Sequence, residues 1–263
     1  MPYRIDIAFP PADALDQLVQ LGALDIETVS DGLAAILPDG VPPDAVAAAL
    51  RVARVEVSPA VGRDNGSVWL LSPRAVRIGS VILAPPDVPA PPNALRLLDA
   101  AAFGTGHHPT TALCIETIER ALTAGIPNSI LDVGTGSGVL ALTALKIGVL
   151  RATGVDTDAD ALKVAAENAR LNSLSDRLQL LLGGPDRVSG AFPVVVANIL
   201  AAPLIEMAPV LVRRVGHHGR LILSGIPASL ESEVAKTYQR LGMHRVGSEV
   251  RAGWSVLMAQ ASW

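Results

Sequence analysis

ILDVGTGSG, at residues 130–138, is an apolar run that ends in a glycine-rich turn and is followed by an apolar helical segment. Glycines let a backbone approach a ligand closely, and the start of a helix presents unpaired N–H groups. The G-x-G-x-G spacing differs from the G-x-G-x-x-G of dinucleotide-binding proteins. The stretch therefore predicts a strand, a ligand-binding turn and a helix start, with a tight turn that binds nothing as the alternative.

Short apolar runs alternate with helical patterns on both sides of this turn, from residue 103 onward. Such alternation predicts a parallel sheet covered by helices on both faces. The last two runs have no helix between them, which indicates an antiparallel edge. The predicted strands are 130–133, 152–156, 178–182, 194–199, 220–224, 243–250 and 254–261, and the predicted helices are 109–124, 139–147, 158–171, 203–212 and 228–241.

The beginning of the chain has a different pattern and a strong acidic bias. Residues 1–50 contain one arginine and eight acidic residues, a net charge of −7, whereas the whole chain carries −4. An acidic surface repels nucleic-acid phosphates and attracts basic proteins, although it can also serve solubility alone. Strands at 3–9, 24–29, 33–37 and 53–57, with helices at 11–21 and 43–50 and a turn at Ser30-Asp31-Gly32, match a split βαβ, ferredoxin-like unit.

Residues 58–102 connect the two patterns. Their proline-rich stretch APPDVPAPP, at residues 84–92, is stiff and extended, and residues 76–83 resemble one strand. The sequence thus predicts a small acidic substrate-recognition domain at 1–57, a linker at 58–102 and an α/β domain at 103–263.

The composition is that of a folded protein of the cytoplasm. Half of the 263 residues are apolar, and the lone cysteine, Cys114, excludes a disulfide scaffold. The uncharged 18-residue run 188–205 is long enough to span a bilayer, but Pro193 and Pro203 interrupt it. We interpret this run as a strand, a turn and a helix start, and predict no membrane segment. The acidic N-terminus does not match a signal peptide.

A carboxylate and an amide end two of the predicted strands. Asp156, 22 residues beyond Gly134, ends the strand after the turn, where an acid can accept both hydroxyls of a ribose. Asp158 fits the cap of the next helix better. Asn198 ends an apolar strand, and its side-chain oxygen could orient an amine substrate, with a structural cap before Pro203 as the alternative. The pattern indicates an adenosine-containing cofactor, either a nucleotide or S-adenosylmethionine.

A second glycine-rich loop, AFGTGHHPTT at residues 102–111, leads into a helix. Its glycines would let it wrap over a ligand, and Thr111 places a hydroxyl near the helix start. Two pairs of neighbouring histidines, at 107–108 and 217–218, raise the question of a metal site. We predict no metal site, because adjacent histidines rarely point the same way and no spaced set of Cys, His and carboxylates accompanies them.

Five motifs, in this order and spacing, resemble the PrmA family, the ribosomal protein L-eleven methyltransferases. They are FGTGHHPTT at 103–111, LDVGTGSGVLA at 131–141, GVD at 154–156, VANIL at 196–200 and LSGI at 223–226. The resemblance implies a seven-stranded, Rossmann-like methyltransferase domain that uses S-adenosyl-L-methionine, preceded by a small ferredoxin-like α+β domain. This chain has Asp99, Ala100 and Ala101 where the family often has Pro-Gly-Met.

The resemblance also implies roles for individual residues. Asn198 would face the transferred methyl group as the catalytic residue. Phe103 and the loop through His107 would enclose the cofactor. The full set implied to bind the cofactor is Phe103, Gly104, Thr105, Gly106, His107, Thr111, Gly134, Gly136, Gly138, Asp156 and Asn198.

The predicted function is S-adenosylmethionine-dependent methylation of amino groups, on lysine or an N-terminus, of the large-subunit ribosomal protein L-eleven. We expect a monomer, no direct nucleic-acid recognition, and no general base, because transfer from a sulfonium requires mainly the alignment of a neutral amine. A nucleic-acid base N-methyltransferase is one alternative, although Ile199, Leu200 and Ala201 offer no aromatic ring for stacking. A non-catalytic cofactor-binding module is the other.

Overall fold

The chain forms two units in the computed structural model, Met1–Pro73 and Arg74–Trp263. The structure describes residues 1–29, 32–64, 66–98, 104–123 and 125–263. The region that the sequence assigns to a linker is divided between the units, since residues 58–73 belong to the first and 74–98 to the second. Residues 99–102, and Ser30 and Asp31 of the predicted turn, lie outside the described residues.

The smaller unit contains a four-stranded antiparallel sheet, counted over its described residues, in the order β2-β3-β1-β4. Its elements are β1 (Tyr3–Ala8), α1 (Ala14–Gln20), β2 (Asp25–Val29), β3 (Gly32–Leu37), α2 (Pro43–Leu50) and β4 (Glu56–Pro59), followed by the short β5 (Gly62–Arg63) and β6 (Val68–Trp69). Both helices pack on one face of the sheet, where Ile5, Leu18, Leu37 and Leu50 are buried. The last predicted strand is present, but its predicted bounds, 53–57, were wrong: pairing with β1 places it at 56–59.

The larger unit begins with a small sheet and its hairpin. β7 (Val76–Ile78) and β8 (Val81–Ala84) pair antiparallel, and β9 (Leu95–Arg96) pairs parallel to β8. The prediction of one strand over 76–83 was wrong, because Gly79 turns the chain with φ of 55°. Ser80 then donates its N–H to Glu119 Oε1 at 2.9 Å.

The main sheet of the larger unit has the order β12-β11-β10-β13-β14-β16-β15 over the residues that the structure describes. The pairs from β12 to β14 are parallel, and those of β16 with β14 and β15 are antiparallel. The predicted α/β class with a mainly parallel sheet is therefore confirmed. Its strands are β10 (Ser129–Val133), β11 (Arg151–Asp156), β12 (Leu178–Leu182), β13 (Phe192–Asn198), β14 (Val215–Pro227), β15 (Met243–Arg251) and β16 (Trp254–Ala261).

Alternate residues of the central strands enter two separate cores. Val194 and Val196 of β13 belong to one core, whereas Val195 and Ala197 belong to the other. This follows from the two-residue side-chain period of a strand, and it explains why strands buried on both faces are continuously apolar.

Six helices, among the described residues, connect and cover these strands. They are α3 (Pro109–Leu122), α4 (Val139–Ile147), α5 (Ala159–Leu171), α6 (Ala201–Glu206), α7 (Ala208–Arg213) and α8 (Glu231–Arg240). The prediction of a single helix over 203–212 was wrong. Pro209, in the first turn of α7, has no N–H to continue the helix from α6. The first residues of the predicted helix 228–241 form a 3₁₀ turn, Ala228–Leu230.

Two further features concern the predicted membrane run and the cysteine. Within the described ranges, no helix is both long and apolar enough to cross a membrane, and the run 188–205 forms β13 and the start of α6. Cys114 is fully buried on α3, where its thiol contacts Ser224 of β14, and burial raises the pKa of that thiol.

Candidate functional site

The glycine loop, residues 134–138, joins β10 to α4 at the carboxyl end of the parallel strands. Its first two N–H groups, of Gly134 and Thr135, both donate to the Val155 carbonyl at 2.9 and 3.0 Å. The φ angles of its three glycines, at 134, 136 and 138, are 70°, 53° and 80°. A Cβ on Gly134 would lie 2.3 Å from Ile199 Cγ2, so that position also needs glycine for space.

Asp132 lies directly below this loop and is fully buried. Its Oδ2 accepts hydrogen bonds from Thr135 Oγ1 at 2.8 Å and from the Ala141 N–H at 3.1 Å. Its Oδ1 has no hydrogen-bond partner among the described residues. Burial, reinforced by repulsion from Asp156, raises the pKa of Asp132 to about 6, although the two hydrogen bonds act in the opposite direction. The predicted site did not include this residue; a carboxylate inside an apolar strand was the signal for it.

Asp156 ends β11 and faces the glycine loop. Its Oδ2 accepts the Gly136 N–H at 2.8 Å, and its Oδ1 accepts the Asp158 N–H at 3.0 Å. Asp158, as predicted, caps α5 through a bond from the Asp160 N–H. Since a carboxylate oxygen can accept more than one hydrogen bond, Asp156 is still able to accept donors from a ligand at this edge.

Asn198 is the last residue of β13 and pairs in register with Ser224 of β14. Its Oδ1 is buried and finds no hydrogen-bond partner in the part of the chain that the structure describes. The cap residue of α6 is Leu200, without a side-chain bond, so Asn198 does not cap the turn before Pro203. An unused amide oxygen therefore remains at the end of the strand.

Gly225 fixes the chain that follows Asn198. It has φ of 80°, and a Cβ there would lie 2.2 Å from the Ile199 carbonyl oxygen. The Ile199 N–H donates to the Ser224 carbonyl at 3.1 Å. Ile199 is thus held between Gly134 on one side and Gly225 on the other. Gly225 lies in the motif LSGI, but the sequence indicated no role for it, because its constraint arises from a contact 26 residues away in the chain.

The upstream loop, residues 104–107, lies against the glycine loop. Ser137 Oγ donates to the Gly104 carbonyl at 3.3 Å, and a Cβ on Gly104 would lie 2.6 Å from that Oγ. The His107 N–H reaches Thr105 Oγ1 at 3.5 Å, and its ring Nε2 lies 3.3 Å from the Arg74 carbonyl. A Cβ on Gly106 would lie 2.4 Å from Leu83 Cδ1. Phe103 lies outside the described residues.

The start of α3 completes the site. His108 caps the helix: its Nδ1 accepts from the Thr110 N–H at 3.3 Å and lies 2.7 Å from Thr110 Oγ1. Thr111 is fully buried, and its Oγ1 has no partner within the described ranges. Among all the residues that the structure describes, no group of three or more His, Cys, Asp and Glu side chains could hold a metal ion.

Three of these side chains share one property, a buried oxygen without a partner among the described residues: Thr111, Asp132 and Asn198. Thr111 lies one turn before Cys114 on the same face of α3, and Cys114 contacts Ser224, the strand partner of Asn198. β10, which contains Asp132, neighbours β13 on its other side. Buried acceptors without donors are costly, so their convergence indicates a site for a ligand with several polar groups.

The chain is similar in sequence to the members of one protein family. The profile of the family described as Ribosomal protein L11 methyltransferase (PrmA) matches residues 67–262. A ribosomal protein L11 methyltransferase of Pelobacter propionicus is 38% identical over 194 residues, which cover 70% of this chain and 62% of that protein. The match thus spans less than two thirds of that relative's length.

Two solved structures are similar in fold to this chain. A ribosomal protein L11 methylase from Lactobacillus delbrueckii subsp. bulgaricus has a TM-score of 0.66 and 28% identity, and the alignment covers 72% of this chain and all of that one. The N-methyltransferase NodS from Bradyrhizobium japonicum WM9, solved with S-adenosyl-L-homocysteine, has a TM-score of 0.50 and 13% identity over 60% of this chain and 90% of its own. That second likeness concerns the fold alone.

Proposed function

Because this chain belongs to the ribosomal protein L11 methyltransferase (PrmA) family, we propose that it is an S-adenosyl-L-methionine-dependent methyltransferase that modifies amino groups of ribosomal protein L11. One observation supports this most strongly. The oxygens of Thr111, Asp132 and Asn198 are buried without partners among the described residues, and these residues belong to the start of α3 and to the ends of the neighbouring strands β10 and β13. Polar acceptors of this kind suit a ligand with a cationic and a hydroxyl-bearing part.

The residues present fit this cofactor. Asp156 would accept the ribose hydroxyls, and the glycine loop would pack against the ligand without side chains in the way. The carboxylate of Asp132 and the hydroxyl of Thr111 would bind polar groups at the other end. The upstream loop, with Phe103, would cover the ligand. S-adenosylmethionine would supply an electrophilic methyl group on a sulfonium, whose leaving group needs no proton.

Asn198 would orient the amine that receives the methyl group. A lysine amine, with a pKa of about 10.4 in water, must be neutral to act as a nucleophile. Its side-chain stem would lie near Ile199 and Leu200, and the loss of water there lowers the pKa of an amine. The buried Asn198 Oδ1 then accepts one N–H and directs the nitrogen lone pair toward the methyl group. We therefore propose alignment, without a general base, as the main catalytic effect.

The smaller unit would recognise the substrate. Its element order and its sheet order, β2-β3-β1-β4, support a ferredoxin-like fold for the domain proposed at residues 1–57. Asp16 and Asp44 are exposed on the first turns of α1 and α2. Such acids favour a basic protein over a nucleic acid. We propose that the protein works in the cytoplasm as a monomer, with residues 58–102 connecting recognition to chemistry.

The test uses S-adenosylmethionine with a radiolabelled methyl group and ribosomal proteins from a methylation-deficient strain. We expect label on L11, on lysine or N-terminal amines, as identified by mass spectrometry. Label on RNA instead would indicate a base methyltransferase. Cofactor binding without any labelled product would indicate a non-catalytic module.

Asn198→Ala separates binding from catalysis. We expect the labelling rate to fall by about 100-fold or more, because the amine loses its orienting acceptor. The dissociation constant of S-adenosylhomocysteine, measured by calorimetry, should change by less than about threefold. Retained labelling in this variant would remove Asn198 from the mechanism.

A further inference from the structure

Two asparagines, Asn168 on α5 and Asn172 at the C-cap of that helix, face the chain that precedes the upstream loop. They lie one turn apart on the same face of the helix. Asn168 is fully buried, and Asn172 is half-buried. Neither belongs to the set of residues implied to bind the cofactor.

Asn172 pairs with the backbone of Arg96 as a neighbouring strand would. Its Oδ1 accepts the Arg96 N–H at 2.8 Å, and its Nδ2 donates to the Arg96 carbonyl at 2.6 Å. The guanidinium of Arg96 in turn donates to the carbonyls of Pro85 and Val88 in the proline-rich stretch, at 2.9 and 2.6 Å. One asparagine therefore fixes the chain at Arg96, and through it the proline-rich stretch.

Asn168 connects two separate segments. Its Oδ1 accepts the Leu98 N–H at 2.8 Å, and its Nδ2 donates to the Ser137 carbonyl at 2.8 Å. Leu98 leads toward the upstream loop, and Ser137 belongs to the glycine loop. Ser137 also contacts the upstream loop directly, through its bond to the Gly104 carbonyl. The buried amide thus fixes Leu98, the last described residue before the upstream loop, to the glycine loop, with its donor and its acceptor satisfied.

We propose that Asn168 and Asn172 are positioning residues that set the spacing between the glycine loop and the upstream loop, and thereby the affinity for the cofactor. The inference rests on the proposed function. The N-cap of α5 is Asp158, two residues after the proposed ribose ligand Asp156. The same helix therefore relates the ribose end of the site to both loops.

Two variants test the proposal in the full chain. Asn172→Ala removes both bonds to Arg96, and Asn168→Asp replaces the donor to Ser137 with a second acceptor while keeping the acceptor for Leu98. We expect each to raise the dissociation constant of S-adenosylhomocysteine about tenfold or more, at a temperature where circular dichroism shows the variant to be folded.

Two controls separate positioning from general destabilisation. Tyr238→Phe removes another buried side-chain bond to backbone, the one to the Leu204 carbonyl at 2.7 Å. Arg170→Ala removes an exposed ion pair with Glu167 on α5 itself. Both controls should keep wild-type affinity, even where the melting temperature of Tyr238→Phe falls as far as that of the asparagine variants.

A double variant tests whether Asn168 affects cofactor binding through Ser137. Ser137→Ala removes the hydroxyl bond to Gly104, so combined with Asn168→Asp it should weaken binding by less than the product of the two single effects. Equal affinity of wild type and both asparagine variants, or independent effects of Asn168 and Ser137, would overturn the inference alone. A wild-type protein that does not bind S-adenosylhomocysteine would overturn the proposed function as well.

Discussion

Asp132 has a buried charge that destabilises the fold unless a ligand compensates it. Its pKa of about 6 exceeds the value of about 3.9 for an unfolded aspartate. Between about pH 4 and pH 6 the folded protein therefore binds a proton that the unfolded chain does not. The stabilisation that comes from binding this proton is present in full below about pH 4 and is lost as the pH rises to about 6 and above. A cationic group of the cofactor would offset this cost.

Asp132→Asn should stabilise the fold and, at the same time, weaken the binding of the cofactor. The amide keeps the acceptor for Thr135 and Ala141 and removes the buried charge. At pH 7.5 we expect the free energy of unfolding to rise by about 3 kcal/mol, and at pH 4.5 by only about 1 kcal/mol. Affinity for S-adenosylmethionine should fall. Urea unfolding at both pH values and a cofactor titration measure these effects, and a variant less stable than wild type at pH 7.5 would contradict the argument.

The turn after β10, the end of β13 and Gly225 within β14 meet at Ile199, which links their conformations. Gly134 and Gly225 approach Ile199 so closely that a methyl group on either would displace it. Such a displacement would move Asn198, which directly precedes Ile199, away from the end of its strand. The geometry of the proposed amine site is thus set by two glycines of other segments, one in the turn after β10 and one within β14.

Gly225→Ala should therefore reduce catalysis more than its backbone strain explains. Gly190 is the matched control, because it has the same φ of 80° but open space around its Cβ position. Each substitution should cost about 1 kcal/mol of stability from left-handed strain. Only Gly225→Ala should also lower kcat, by about tenfold or more, through misplacement of Asn198. Equal kcat values for the two variants, measured by methyl transfer, would refute this coupling.

The sequence predicted the helices and strands well where hydrophobic period determines them. The runs at 178–182 and 254–261 coincide with β12 and β16. Errors occurred where distant contacts decide the structure. The register with β1 moved β4 to residues 56–59, and a single glycine with positive φ divided the 76–83 run into a hairpin.

The same distinction applies to the proposed site. The position of Gly134, Asp156 and Asn198 at one edge of the sheet could be predicted, because the carboxyl ends of parallel strands meet there; their roles remain predictions. Asp132 was missed because its burial and its unpartnered oxygen are properties of the packed protein. Asn168 was missed because its partners, Leu98 and Ser137, are 70 and 31 residues away in the chain.

The charge of the protein is divided unequally along the chain, and the acidic first 50 residues all lie in the smaller unit. Residues 1–50 have a net charge of −7, so the remaining 213 residues of the 263-residue chain together carry +3. Charge separated in this way affects the rate and the salt dependence of association with a basic partner more than it affects the fold.

Neutralising exposed acids of the smaller unit should weaken substrate association alone. In Asp16→Asn/Asp44→Asn we expect KM for L11 to rise severalfold at low salt, and less at about 0.5 M salt, where screening already weakens the attraction. S-adenosylhomocysteine affinity should not change. Glu206→Gln/Glu233→Gln, which neutralises two exposed acids of the larger unit, is the charge-matched control, and an equal effect of that variant would argue against recognition by the acidic unit.

Cys114 is the one cysteine of the chain, and it lies against Ser224 beside the proposed site. Burial and the raised pKa of its thiol keep it from reacting with a disulfide reagent until the fold opens. The rate of thiol labelling then measures how often the native protein opens. S-adenosylhomocysteine at 100 times its dissociation constant should slow labelling by about 100-fold. The natural sequence thus contains its own chemical reporter of ligand-dependent opening, without an attached dye.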